Sequence, residues 1–176
     1  RGWSVYGTDI SDVAYNITKD KLSNIYHGEL VNCHFENNTF DVVMMNHSFE
    51  HMPEPQKEIT EVKRILKKSG LFYLSIPNIE SSQFKVLKEH WHHLEIPRHL
   101  YHYSPNTITR FLENNGFEVT KIHFPMFDFP FDIVHSLRSK WAAKHFNLSD
   151  LFYAFPFIKI LPRWRAGIEV FARLKS

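Results

Sequence analysis

The chain has 176 residues, 43% of them hydrophobic and 23% charged, enough for one domain with a core of its own. No run of about 18 uncharged apolar residues occurs, so no membrane-spanning helix is expected. The single cysteine, Cys33, excludes an internal disulfide and any multi-cysteine zinc site, and a reducing, cytoplasmic setting fits. The net charge of +2 hides an asymmetry: residues 138–176 carry eight lysines and arginines against Asp150 and Glu169. Residues 1–137 are therefore net acidic, and the basic, aromatic remainder suits an anionic acceptor, a membrane surface or a solvated face.

In chain order, residues 3–6 are aromatic and β-branched and are closed by Gly7-Thr8-Asp9, which reads as a strand and a turn. Neither a signal peptide nor an initiator methionine precedes them, so the start reads as entry into the middle of a fold. Ser11 and Asp12 are N-cap types, opening a polar helix to about residue 22. Residues 25–27 read as a short strand ending at Gly28, and Asn37-Asn38 as a turn. Residues 40–45 are apolar apart from Asp41, the pattern of a strand buried on both faces in a parallel sheet. Pro53 and Pro55 suit the first turn of a helix. Ile59, Val62, Ile65 and Leu66 follow at helical spacing, with a stop at Lys67-Lys68 and Gly70. Residues 71–76 form the next strand, closed by Pro77-Asn78.

Residues 79–104 read as irregular and hold five of the twelve histidines. Ser104 and Pro105 open a helix through residue 112, stopped at Asn115-Gly116. Residues 117–124 are a strand, 125–165 a proline-punctuated helical segment, and 167–174 a last strand that pairs antiparallel with its predecessor. Alternating strands and helices through residue 78 argue for an α/β, doubly wound sheet.

Ligands of such sheets bind beyond the carboxyl ends of the strands, which selects three places. Asp9 follows the first strand and could accept two hydrogen bonds from a ribose diol. Taken alone, it reads more readily as an ordinary turn or N-cap aspartate, since Asp is common in turns. Gly28-Glu29-Leu30 pairs a polar with an apolar group, as an adenine requires. Asn46-His47-Ser48-Phe49-Glu50-His51 puts polar side chains directly after an apolar strand. The plainer alternative is that Glu50 and His51 cap the next helix and pair with each other.

The run from Phe40-Asp41-Val42-Val43 to Glu50-His51-Met52-Pro53 resembles the fourth-strand motif of class I S-adenosylmethionine-dependent methyltransferases. Arg64-Ile65-Leu66-Lys67-Lys68-Ser69-Gly70 and the strand ending Ile76-Pro77-Asn78 are similar to that family's following helix and strand, with Lys68-Ser69-Gly70 where Pro-Gly-Gly is usual. Tyr6-Gly7-Thr8-Asp9 resembles its second strand. His102-Tyr103-Ser104 with Asn115-Gly116-Phe117 resembles a downstream segment of its type 11/12 subgroup. The family's first strand and glycine-rich loop are missing: the chain has six glycines and none forms such a loop. The resemblance thus implies a Rossmann-like doubly wound sheet with an antiparallel last strand, and an N-terminally incomplete piece of a longer protein.

The same resemblance implies S-adenosyl-L-methionine as cofactor. Asp9 would hold its ribose, Ile10, Glu29 and Leu30 would surround its adenine, and Asn46 and His47 would line its methionine end. Alignment supplies much of the rate of methyl transfer, and an oxygen or nitrogen nucleophile adds the need for a base. His47, His51 and His99 are the candidates, in that order. No metal site is assigned, because neither His47 with Glu50 and His51 nor the His90, His92, His93 cluster completes a ligand set.

Insertions 79–104 and 125–165 would build the acceptor pocket on a single domain over 1–176. The acceptor would be a small molecule, a glycan precursor or a lipid-linked compound. The aromatics of 125–165, with Lys159, Arg163 and Arg165, offer either core packing or a peripheral membrane contact. No nucleic-acid partner is expected, since the acidic part of the chain carries the active face. The rival readings are another nucleotide-cofactor enzyme and a non-enzymatic interaction module of the same fold.

Overall fold

The structure, a computed structural model, describes residues 2–125, Ser136 and residues 166–175. The helical reading of 125–165 and its aromatic side chains therefore lie outside the described residues, apart from Pro125 and Ser136.

Strand β1 (Gly7–Asp9) pairs in parallel with β2 (Ile25–His27), and helix α1 (Asp12–Thr18) links them. The strand expected at residues 3–6 begins instead at Gly7 and takes in the residues expected to form the turn. A strand exists where a ladder partner exists, whatever its propensity. Here the ladder starts with Gly7 N–H donating to the Asn24 carbonyl at 3.0 Å. The aromatic and β-branched residues before it stay outside, with Trp3 72% exposed. Ser11 caps α1 by accepting from Ala14 N–H at 3.3 Å. The helix ends at Thr18, short of residue 22, and buries none of its residues.

The second unit is a four-stranded sheet of order β3-β4-β6-β5. Strand β3 (Phe40–Asn46) and strand β4 (Leu66–Pro77) are parallel, joined through helix α2 (Pro55–Ile65). Strand β6 (Gly167–Leu174) lies antiparallel between β4 and β5 (Phe117–His123). The α/β architecture and the antiparallel last strand are as the sequence implied, with β6 inside the sheet and β5 at its edge. Burial of β3 on both faces is not observed: Met44 is 65% exposed, because β3 is the other edge strand of this sheet.

Helix α2 buries Ile59, Val62 and Ile65 but stops before the lysine pair. Its last carbonyls are taken from outside: Asn38 N–H donates to Arg64 O at 3.0 Å and Thr39 N–H to Ile65 O at 2.8 Å. That satisfies orphan acceptors which a cap would otherwise serve. Leu66 then pairs with Phe40 as the first residue of β4. Gly70 is consequently a site of close approach and not a helix stop. A Cβ there would sit 2.7 Å from Leu66 Cδ1 and 2.8 Å from the Lys67 carbonyl.

Residues 79–104 are more regular than expected. They contain helix α3 (Ser82–Leu87) and 3₁₀ turns at Lys88–His90 and His92–Leu94. Leu87, Trp91 and Ala166 form a small apolar cluster beneath them. Helix α4 (Pro105–Asn114) carries a reciprocal cap, with Ser104 Oγ accepting from Thr107 N–H at 3.2 Å and Thr107 Oγ1 accepting from Ser104 N–H at 2.8 Å. It buries Ile108 and Leu112 in the main core with Phe49, Phe72, Phe117 and Ile168. Replacing Ser104 by Ala should lower the unfolding free energy by about 1 kcal/mol, read as a shift of the denaturant midpoint with an unchanged slope.

Candidate active site

A cavity of about 770 Å³ lies between the two units, walled by β1 on one side and β3 on the other. That volume is in the range of small-molecule sites, roughly 300–1,000 Å³. Asp9, Ile10, Glu29, Leu30, His47 and His51 all line it. They come from the carboxyl ends of three strands, which is where open α/β sheets bind ligands. Two expected residues do not line it. Asn46 is exposed and sits in register with Ser75 of β4. His99 is 7% exposed and packs edge-on against His51, ring centroids 4.6 Å apart.

Local hydrogen bonds fix the β1 side. Asp9 Oδ1 accepts from Ser11 N–H at 2.8 Å, and the Asp9 carbonyl accepts from Gly28 N–H at 2.9 Å. Gly28 has φ +128° with open space where a Cβ would stand. Glycine is required there by backbone conformation, not by crowding. Ile10 is 72% exposed, an apolar side chain offered to whatever fills the cavity.

On the β3 side, His47 has φ +48°, a left-handed conformation that is strained for a residue with a side chain. Its N–H donates to the Ser75 carbonyl at 2.9 Å, and its Nδ1 lies 3.4 Å from Glu50 Oε1. Phe49–His51 forms a 3₁₀ turn, with Phe49 and Glu50 buried. Glu50 and His51 therefore do not cap α2, whose N-cap is Glu54. His51 instead reaches 47 residues ahead, its Nδ1 3.0 Å from the Arg98 carbonyl. His99 Nδ1 lies 2.7 Å from the His93 carbonyl, and its Nε2 lies 3.1 Å from Glu95 Oε2. Burial pushes the His99 imidazole below its ordinary range against the opposing influence of that carbonyl and of Glu50.

Ser48, within the run selected after β3, also lines the cavity, as do Thr8, Glu58 and Arg98, to which the sequence assigns no role. Glu58 looks like a solvated helix residue by its spacing, yet it is 5% exposed. The available signal was its place in the first turn of α2, just beyond Pro55. Burial, then the charges of Glu29 and Glu61, push its carboxyl above the ordinary range. The folded state thus holds this proton to higher pH than the unfolded chain does. Stability should fall as pH rises from the ordinary carboxylate range through the raised value, and be level above it. Replacing Glu58 by Gln should flatten that slope and stabilise the protein near pH 7, as measured by denaturant melts across pH 4–8.

A family model described as a methyltransferase domain matches residues 1–122. The demethylmenaquinone methyltransferase of Staphylococcus haemolyticus (strain JCSC1435) is 32% identical over 84 residues, 45% of this chain and 34% of that protein. The chain thus matches about a third of that relative's length. A SAM-dependent methyltransferase from Archaeoglobus fulgidus superposes with a TM-score of 0.63 at 18% identity, over 96% of this chain and 75% of that one. The (4+2)-cyclase SpnF superposes with a TM-score of 0.66 at 17% identity, over 98% of this chain and 66% of that one. At such identities the two structures speak for the fold alone. The family match covers well over half of the chain, which therefore belongs to the methyltransferase-domain family, the S-adenosylmethionine-dependent methyltransferases of Rossmann-like fold.

Proposed function

We propose that the cavity between β1 and β3 holds S-adenosyl-L-methionine and that the chain, acting as one domain over 1–176, directs its methyl group to a small-molecule acceptor. The observation that carries this reading is the convergence of Asp9, Ile10, Glu29, Leu30 and His47 on one cavity. The donor set fits the cofactor. Asp9 keeps Oδ2 available for a ribose hydroxyl while Oδ1 is committed to Ser11. Ile10 and Leu30 offer apolar surface to an adenine, and Glu29 an acceptor for its exocyclic amine. When bound, the cofactor would supply a sulfonium methyl group, which a nucleophile takes directly as the sulfur leaves with the bonding pair as a neutral thioether.

The chain's own part is to hold both reactants in line and to keep water out. His47 is the residue in the cavity best placed to take a proton from an acceptor hydroxyl or amine. With Nδ1 beside Glu50, the proton would arrive at Nε2. His51 lines the cavity with Nδ1 held by Arg98. His99, outside the lining, would act only through His51.

Residues 79–104 and 125–165 would form the acceptor side. A glycan precursor or lipid-linked acceptor agrees with the basic charge of 138–176 and, for the lipid, with the name of the Staphylococcus relative. Among the described residues no helix is long and apolar enough to cross a membrane, so such an acceptor would be met at a surface. The acidic cavity wall of Asp9, Glu29 and Glu58 disfavours nucleic acid as a partner. The fold shared with SpnF supports one alternative, a cofactor-binding protein with another activity.

Calorimetric titration of S-adenosylhomocysteine into the full-length gene product should show one site near micromolar affinity, about −8 kcal/mol. Asp9→Ala should weaken it by about tenfold or more, the scale of a lost hydrogen bond to a charged group. A folded protein with no heat of binding would overturn the reading. His47→Gln should weaken that affinity less than Asp9→Ala does and slow methyl transfer by about a hundredfold or more. Binding without transfer to any acceptor class would favour the alternative.

A further inference from the structure

The histidines His51 and His99 share an arrangement that the methyl-transfer reading does not use. Each places Nδ1 against a backbone carbonyl, His51 on Arg98 O at 3.0 Å and His99 on His93 O at 2.7 Å. A carbonyl only accepts, so both Nδ1 atoms carry the proton. In a neutral imidazole, Nε2 is then left with its lone pair. Backbone carbonyls orient metal-binding histidines in just this way, fixing the tautomer and aiming the other nitrogen.

A third donor stands beside them. Glu50 is 1% exposed, and neither of its carboxylate oxygens has a hydrogen-bond partner, His47 Nδ1 standing 3.4 Å from Oε1. The ligand atoms of Glu50, His51 and His99 all lie within 4.8 Å of one another. Glu95 Oε2 adds a further acceptor 3.1 Å from His99 Nε2. The opposite tautomer of His99 would serve Glu95 but would set a bare Nδ1 against the His93 carbonyl. Two imidazoles and a buried carboxylate thus lie together, an arrangement that is costly to bury unless a positive charge lies among them.

We propose that Glu50, His51 and His99 form a binding site for a divalent first-row transition cation, with zinc the best match. Two imidazoles and one carboxylate are a known zinc donor set that leaves a position open. The open position would take water or an oxygen of a bound molecule. His51 is part of the wall of the cavity proposed for the cofactor, beside Arg98 of the 79–104 segment, so the cation would border that cavity and could polarise an oxygen there. The site joins residues 50 and 51, on the turn after β3, to residue 99 on the loop before α4. The Glu50 carbonyl secures that junction by accepting from Leu100 N–H at 2.9 Å and Tyr101 N–H at 3.2 Å.

The test uses tag-free, full-length protein stripped with a chelator. Zinc alone is titrated calorimetrically, and thermal unfolding is followed with and without it. The expected result is one saturable equivalent per chain, a raised midpoint, and d–d absorption of a low-coordinate site when cobalt(II) replaces zinc. Glu50→Gln and His99→Gln should each weaken zinc by about tenfold or more. Changing His90 or His92 to Gln should leave its affinity unchanged. No saturable equivalent in the folded wild-type protein would overturn the proposal and leave a charged, hydrogen-bonded His99 as the explanation of the cluster. An equivalent that survives both Glu50→Gln and His99→Gln would overturn it as well. Should a variant fail to fold, the wild-type stoichiometry and the cobalt spectrum still decide. Titration of S-adenosylhomocysteine into the same sample reports separately on the cofactor reading.

Discussion

The parallel pairing of β3 with β4 sets the position of every polar group at the carboxyl edge of the larger sheet. The ladder runs in register from Val42↔Leu71 to Asn46↔Ser75. It ends where His47 N–H meets the Ser75 carbonyl. From that point the chain must leave the sheet, and it does so through a 3₁₀ turn anchored by Phe49, which is fully buried. The ring packs between Tyr103 and Phe111, centroids 5.6 and 5.8 Å away. An apolar side chain thus holds a polar turn in place. Burial of a Phe contributes roughly 1.5–3 kcal/mol, more than the neutral hydrogen bonds of the turn contribute singly. Glu50 and His51 go where Phe49 puts them.

The two walls of the cavity are built differently. On the β3 side, α2 and the sheet bury a continuous core. On the β1 side a two-stranded ladder carries a helix with no buried residue, and Val13 and Ile17 are 69% and 58% exposed. The stabilising apolar contacts of the described residues are therefore concentrated on one side. On the proposed reading His47 and His51, which would need tight geometry, sit on that side, and Asp9 and Ile10, which would only present an acceptor or an apolar surface, sit on the other.

Membership of the methyltransferase-domain family explains why these features share one cavity, but a fold does not name its reaction. SpnF, a (4+2)-cyclase, superposes on this chain about as well as a SAM-dependent methyltransferase does. The specific chemistry must come from the groups at the carboxyl edge. Here those are unusually rich in imidazole: His47, His51, His93 and His99 lie in one group of ring contacts and carbonyl bonds. A buried carboxylate among them sets a charge balance that the surrounding backbone, offering carbonyls, cannot supply.

Much of this was legible in the chain itself, because it depended on local chemistry. Residues 25–27 and 167–174 are bounded by glycine and carry β-formers, and both strands appear with those bounds. Ser11 and Ser104 are N-caps because a hydroxyl three residues ahead of an N–H can reach it. Asp9, Glu29 and His47 follow strands, and the rule that ligands meet strand ends placed them on one cavity. What needed the tertiary structure was every pairing across distance. The β1 ladder moved from residues 3–6 to Gly7 because only Asn24 to His27 offered a partner. The helix before β4 ended at Ile65 because Asn38 and Thr39 claimed its carbonyls. Glu58 became a wall residue, and His99 met Glu50 and His51 across nearly 50 residues of sequence. Local propensity acts between neighbours in the chain, whereas burial and charge act between neighbours in space.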